Sequence, residues 1–254
     1  MKSIQTNSLT SSNISRRKLL GGVASMGALT ALGVGTSASA APEAKESNLK
    51  KGAVIVFQGD SITDEGRKKD VKDPNDTNGL GRGYAAMAAG LLHADYPDHE
   101  LKVYNRGTSG NKVPDLDARW KEDAVDLKPD ILSIMVGVND YWHTIAFGSK
   151  YKGTVSDYET GYRKLIERTQ REIPGVRVVI CDPFTFRDWE EYKPYQAVAE
   201  KLAGEFNLTF VPFQKTFDPL RETVEPKFWL WDGVHPTPPG HALMAKTWKA
   251  AVGI

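Results

Sequence analysis

The sequence predicts an α/β protein built on a parallel five-stranded sheet covered by helices on both faces. Short, continuous apolar runs alternate with longer amphipathic segments from residue 53 onward. Those runs lack the in–out alternation of a sheet with one wet face, so they read as strands buried on both sides. The order strand, helix, strand is the one that parallel crossovers require.

The first strand is placed at residues 53–58, a β-branched run closed by Gly59. A polar loop is expected over 64–82. Residues 83–96 carry Tyr84, Met87, Ala88, Leu91 and Leu92 at helical spacing and stop at Pro97. A short strand at 101–104 leads into the Gly/Ser/Thr turn 105–111. Residues 114–127 form an amphipathic helix with Leu116, Trp120, Ala124 and Leu127 on one face, opened by Pro114. The third strand, 131–136, ends in Gly137-Val138-Asn139-Asp140. A long helix is predicted over 154–173, with Asp157 and Glu159 near its start, where they suit the helix dipole. Pro174-Gly175 stops it. The fourth strand is 176–181, followed by an aromatic loop over 183–192. A helix at 194–206, a strand at 208–211, a short helix at 216–224, an irregular stretch at 229–239 and a last helix at 240–252 complete the domain.

The 254 residues carry 33 Lys+Arg against 32 Asp+Glu, a net charge of +1. That balance gives no reason to expect nucleic acid or an anionic membrane surface as partner. The single cysteine, Cys181, excludes an intrachain disulfide and reads as a small buried hydrophobe. Residues 1–40 read as an address. Ser15-Arg16-Arg17-Lys18 precedes a weakly apolar Gly/Ala stretch and Ala38-Ser39-Ala40, the order of a signal peptide with a twin-arginine pair. Export and cleavage after Ala40 are therefore expected. Residues 41–52 would be a polar tether and 53–254 the mature domain.

Ser61 lies just past the first strand. In open α/β sheets the ligand crevice lies beyond the carboxyl ends of the strands. Asp232 and His235 stand three apart in the turn Asp232-Gly233-Val234-His235-Pro236. That spacing lets a carboxylate hold Nδ1 and turn Nε2 toward a serine. Gly107 and Asn139, at two further strand ends, offer a backbone N–H and a neutral side-chain donor for an oxyanion, with the Ser61 N–H as a third. Ser109, in Gly107-Thr108-Ser109-Gly110, is a rival nucleophile. Asp60, Asp140, Asp232 and His235 are residue types that bind divalent ions, but Asp60 fits better as an anchor of the serine turn, and neither a metal nor a cofactor is expected.

Gly59-Asp60-Ser61-Ile62-Thr63, Asn105-Arg106-Gly107, Gly137-Val138-Asn139-Asp140 and Asp232-Gly233-Val234-His235-Pro236 resemble, in order, the four blocks of the SGNH (GDSL) hydrolases. The resemblance implies a flavodoxin-like three-layer α/β/α fold and serine esterase chemistry. It implies Ser61 as nucleophile, His235 as base, Asp232 as its orienting acid, and Ser61, Gly107 and Asn139 as the oxyanion hole. Longer stretches, at 105–113, 115–125, 133–142 and 231–236, are similar to bacterial acetylxylan esterases. An acetylated carbohydrate is then the expected substrate, with Tyr141, Trp142, Trp189 and Trp231 as candidate sugar-binding rings. A lipid-directed acylhydrolase and a silent carbohydrate-binding protein are the alternatives.

Overall fold

The computed structural model of the chain describes residues 49–254. Five strands form one parallel sheet: β1 (Val54–Gly59), β2 (Lys102–Asn105), β3 (Ile131–Met135), β4 (Arg177–Cys181) and β5 (Thr209–Val211). Their order across the sheet is β2-β1-β3-β4-β5, and every neighbouring pair is parallel. The three-layer expectation is borne out. The helices are α1 (Ser61–Asp64), α2 (Thr77–Leu80), α3 (Tyr84–Asp95), α4 (Val113–Asp123), α5 (Val138–Ile145), α6 (Val155–Glu172), α7 (Lys193–Glu205), α8 (Phe213–Phe217) and α9 (Pro238–Val252).

The sheet's period of two assigns the faces. Phe57 packs its ring against Tyr84 of α3 and Trp248 of α9. Its neighbour Gln58 points the other way and donates Nε2–H to the Asp123 carbonyl at the end of α4, 2.6 Å away. The layer of α4 continues through α6 and α7, with Trp120 donating to Thr169 Oγ1 at 3.0 Å. Trp248 reaches through the opposite face to Ser133 Oγ at 3.0 Å. Burial of these large rings supplies the main stabilisation, about 25 cal/mol for each Å² of apolar surface removed from water.

In this strand order the chain leaves β1 toward β2 on one side, then returns to build β3, β4 and β5 on the other. The switch point is the gap between β1 and β3, where a crevice opens. Ser61 follows β1 and Asn139 follows β3, so both stand on that crevice.

Three details differ from the sequence reading. Leu49 is buried in the core, so the domain starts before residue 53: one apolar residue in an otherwise polar stretch has joined the core. The strand-end turn expected at residues 137–140 runs directly into a helix, α5 (Val138–Ile145). The short helix expected over 216–224 forms earlier, as α8, and residues 218–222 follow as a 3₁₀ turn. The address at 1–40 and most of the tether lie outside the described residues.

His241, on α9, caps α3. Gly83 brings no side chain to that helix start, and the Tyr84 N–H donates instead to His241 Nδ1 at 3.1 Å. The accepting Nδ1 fixes the proton on Nε2. Glu65 Oε2 lies 3.8 Å from Nε2, outside hydrogen-bond reach, and burial pushes the imidazole down to about 4. The unfolded chain, with an ordinary histidine near 6.5, binds more protons between that value and about 4. Stability from this group is therefore complete above pH 6.5 and is lost as pH falls through that window, reaching about 3 kcal/mol by pH 4. His241→Asn keeps an oxygen for the Tyr84 N–H and has no titration. Unfolding free energies of the two proteins should therefore diverge with pH only over this interval. Parallel pH profiles would refute it.

Candidate active site

The turn that carries Ser61 is shaped by its small and acidic residues. Gly59 ends β1 where a Cβ would run into Thr63 Oγ1 and the Met135 carbonyl, so β1 and β3 close up only because the residue is glycine. Asp60 then caps α1, its Oδ1 accepting the Ile62 N–H at 3.0 Å. Burial lifts its carboxyl to about 6 against that hydrogen bond. Ser61 is thereby the first residue of a helical turn, with its Oγ on the crevice.

His235 Nε2 lies 2.9 Å from Ser61 Oγ, across 174 residues of sequence. His235 Nδ1 lies 2.9 Å from Asp232 Oδ2. Asp232 Oδ1 accepts the backbone N–H of Val234 and of His235, at 2.9 and 2.8 Å. All the acceptor capacity of Asp232 thus points into its own turn, and the turn cannot open without losing it. Burial raises the Asp232 carboxyl, but the His235 N–H, the His235 ring and the Val234 N–H more than offset this and hold it below the usual carboxylate range. An ionised Asp232 keeps the proton on Nδ1, so Nε2 is free to accept the Ser61 proton.

The sequence-expected oxyanion donors are close by but differ in availability. The Ser61 N–H has no acceptor among the described residues. Asn139, in the first turn of α5, donates one Nδ2–H to the Asn111 carbonyl at 3.2 Å and has a second N–H to spare. The Gly107 N–H is already donated, to Asn105 Oδ1 at 2.9 Å. Gly107 must nevertheless be glycine, because a Cβ would strike the Asp64 N–H and the Thr63 carbonyl carbon.

The hub of this region is Asn105, which the sequence reading passed over. Besides accepting from Gly107, it donates Nδ2–H to the carbonyls of Thr63 and Leu80, at 2.6 and 2.8 Å. Asp64 Oδ2 accepts from the Ser109 N–H at 2.9 Å and from Ser109 Oγ–H at 2.7 Å. Ser109 therefore serves as a clamp on the Ser61 turn and has no histidine for a partner among the described residues. Arg67 donates to the Gly107 carbonyl, and Arg119 to the carbonyls of Arg106 and Gly59 and to Asn111 Oδ1. The expected polar loop is in this way tied to the floor of the site.

The four candidate rings fall into two groups. Trp231 is 59% exposed and stacks on His235, 5.5 Å between centroids at 18°. Trp142 faces the same imidazole from 6.1 Å, with Trp189 behind it at 5.5 Å. Tyr141 is only 7% exposed and packs among Trp189, Tyr192 and Tyr195. It is a supporting ring and does not face the crevice. The reason is the unforeseen helix α5, on which adjacent side chains diverge by about 100°. Asp140, next to Asn139, is buried and pushed up to about 7, with one oxygen accepting the Val113 N–H at 3.1 Å.

A model of the GDSL-like lipase/acylhydrolase family matches residues 57–243. The chain belongs to that family. Among relatives of this GDSL-like acylhydrolase, an acetylxylan esterase of Geobacillus stearothermophilus is 36% identical over 214 residues, covering 81% of this chain and 96% of that one. The crystal structure of that bacterium's acetylxylan esterase superposes with a TM-score of 0.75 at 34% identity, over 81% of this chain and 96% of that chain. A Parabacteroides merdae protein named as a GDSL-like lipase superposes with a TM-score of 0.78 at 44% identity, over 81% and 98%. These likenesses cover both the sheet and all four blocks. The protein is a carboxylic ester hydrolase of the GDSL type.

Proposed function

We propose that this GDSL acylhydrolase removes acetyl or other short acyl groups from carbohydrate, such as acetylated xylan or its oligosaccharides, through an acyl-enzyme on Ser61. The observation that carries the mechanism is the unbroken chain Ser61 Oγ, His235 Nε2, His235 Nδ1, Asp232 Oδ2, with both contacts at 2.9 Å. His235 takes the Ser61 proton as Oγ attacks the ester carbonyl. The oxygen that becomes negative is met by the Ser61 N–H and the Asn139 amide. The Gly107 N–H, which the family resemblance also assigns to the oxyanion hole, is committed to Asn105 Oδ1 at 2.9 Å and would join only by releasing it. The imidazolium then hands its proton to the departing sugar hydroxyl. Water, deprotonated by the same imidazole, cleaves the acyl-enzyme and restores Ser61.

Two features support a sugar as the alcohol. Trp231 and Trp142 flank the His235 ring, and indole faces suit the apolar faces of pyranose rings. The relatives named as acetylxylan esterases lend the same support. The twin-arginine leader in residues 1–40 adds a location: we propose export across the membrane, where polysaccharide is met.

The test is turnover of p-nitrophenyl esters from acetate to laurate, with acetate release from acetylated xylan measured alongside. Acetate is expected to be the best of the series, with acetate freed from the polymer. A preference for long chains would instead favour a lipid-directed acylhydrolase, and no turnover of any ester would leave only carbohydrate binding.

A further inference from the structure

We propose that Arg187, packed beside the Trp142–Trp189 pair, forms a subsite for a carboxylate on the substrate, so that the preferred ester is an acetylated oligosaccharide bearing a uronate unit. This rests on the carbohydrate reading above and adds to it a charge on the substrate. Arg187 Cζ lies 5.2 Å from the centroid of the Trp142 ring and 5.3 Å from that of Trp189. Contact with two indoles narrows the guanidinium's range of positions before any ligand arrives.

The group stands on the wall of the crevice. Trp142 is the ring that faces His235. The position of a Cβ on Gly233, inside the Asp232–His235 turn, lies 3.0 Å from Arg187 Cγ. Yet the Arg187 side chain makes no ion pair or hydrogen bond among the described residues. The acids near it are engaged elsewhere. Asp188 pairs with Arg221 at 3.2 Å and Glu190 with Lys193 at 2.7 Å. Glu191 accepts from Tyr141 at 3.4 Å, and both oxygens of Asp232 are taken up within its own turn.

An exposed guanidinium without an anion, against the ring that faces His235, presents paired N–H donors to whatever enters. A carboxylate matches that fork in two parallel bonds, which a sugar hydroxyl cannot. Because two indoles already border the arginine, binding an anion there costs less side-chain entropy than at a free surface arginine. Xylose and acetyl carry no charge. The carboxylate must come from an acidic sugar attached near the acetylated unit.

The test compares acetate release from acetylated xylo-oligosaccharides of matched length, with and without a glucuronosyl branch, at low and high ionic strength. For the purified protein, kcat/KM is expected to favour the acidic substrate by about three- to fivefold at low salt, the scale of an exposed ion pair, and less at high salt. In Arg187→Met, which keeps a stem over the rings without the charge, the ratio should fall to about one. Arg187→Lys, with charge but no fork, should lie between. No preference in the wild-type protein, or a preference that survives in Arg187→Met, overturns the subsite. If p-nitrophenyl acetate is hydrolysed but neither oligosaccharide releases acetate, the carbohydrate reading falls and the subsite with it. Equal release from both removes the subsite alone.

Discussion

Replacing Ser61 with alanine is expected to lower kcat on p-nitrophenyl acetate by about 10⁴- to 10⁶-fold, the scale at which a triad stops working as a unit. The fold should be unaffected. Among the described residues, the only hydrogen-bond partner of Ser61 Oγ is His235 Nε2, at 2.9 Å. The α1 turn is held by Asp60 at its start, by the Glu65 N–H donating to the Ser61 carbonyl, and by the Asp64–Ser109 clamp, none of which uses the hydroxyl. Thermal unfolding of the variant should therefore match the parent within the few tenths of a kcal/mol usual for a benign surface change. What remains of catalysis would come from oxyanion donors acting on water. Ser109→Ala is the companion control. It removes one hydrogen bond to Asp64 and should cost far less activity than Ser61→Ala. Full activity in Ser61→Ala would sink the assignment of the nucleophile, and collapse only in Ser109→Ala would pass that role to Ser109.

The residues that could be read from sequence share one property: each sits in a short contiguous block at the end of a strand or in a tight turn. Ser61, Gly107 and Asn139 close three successive strands, and the sheet order then brings them to one rim without further information. Asp232 and His235 find each other because three residues of turn leave them little choice. What stayed hidden depends on long-range pairing. Asn105 reaches Thr63 and Leu80, and Arg119 reaches Gly59 and Arg106, from elements whose relative placement no local pattern specifies. These polar groups are satisfied largely by backbone carbonyls of distant segments, so none has a signature of its own. His241 reads as an ordinary histidine at a helix start, and its role as cap for α3 exists only once α9 is docked. The aromatic rim was half legible for a different reason. Composition told that rings gather after β3 and β4, but which of Tyr141 and Trp142 meets the crevice depends on α5 being helical.

Asn139→Ala is the second large effect, an expected fall in kcat of about 10²- to 10³-fold, or about 3–4 kcal/mol in the barrier. The availability of donors sets this weight. The Gly107 N–H is committed to Asn105 Oδ1, so the developing charge relies on the Ser61 N–H and on the second Nδ2–H of Asn139. A neutral ester carbonyl is a weak acceptor, whereas the tetrahedral oxyanion is a strong one. The loss should therefore appear in kcat with KM nearly unchanged. Losing the bond to the Asn111 carbonyl costs about 1 kcal/mol of stability, too little to unfold a domain of this size. Asn139→Asp sharpens the test, because it keeps the shape and puts a negative charge where the oxyanion forms, so it should be no better than alanine. A kcat within about threefold of the parent in Asn139→Ala would move the oxyanion to the remaining donors. Gly107 would then have to release Asn105 during the reaction, and Asn105→Ala, which frees that N–H at the cost of its anchor, would become the decisive variant.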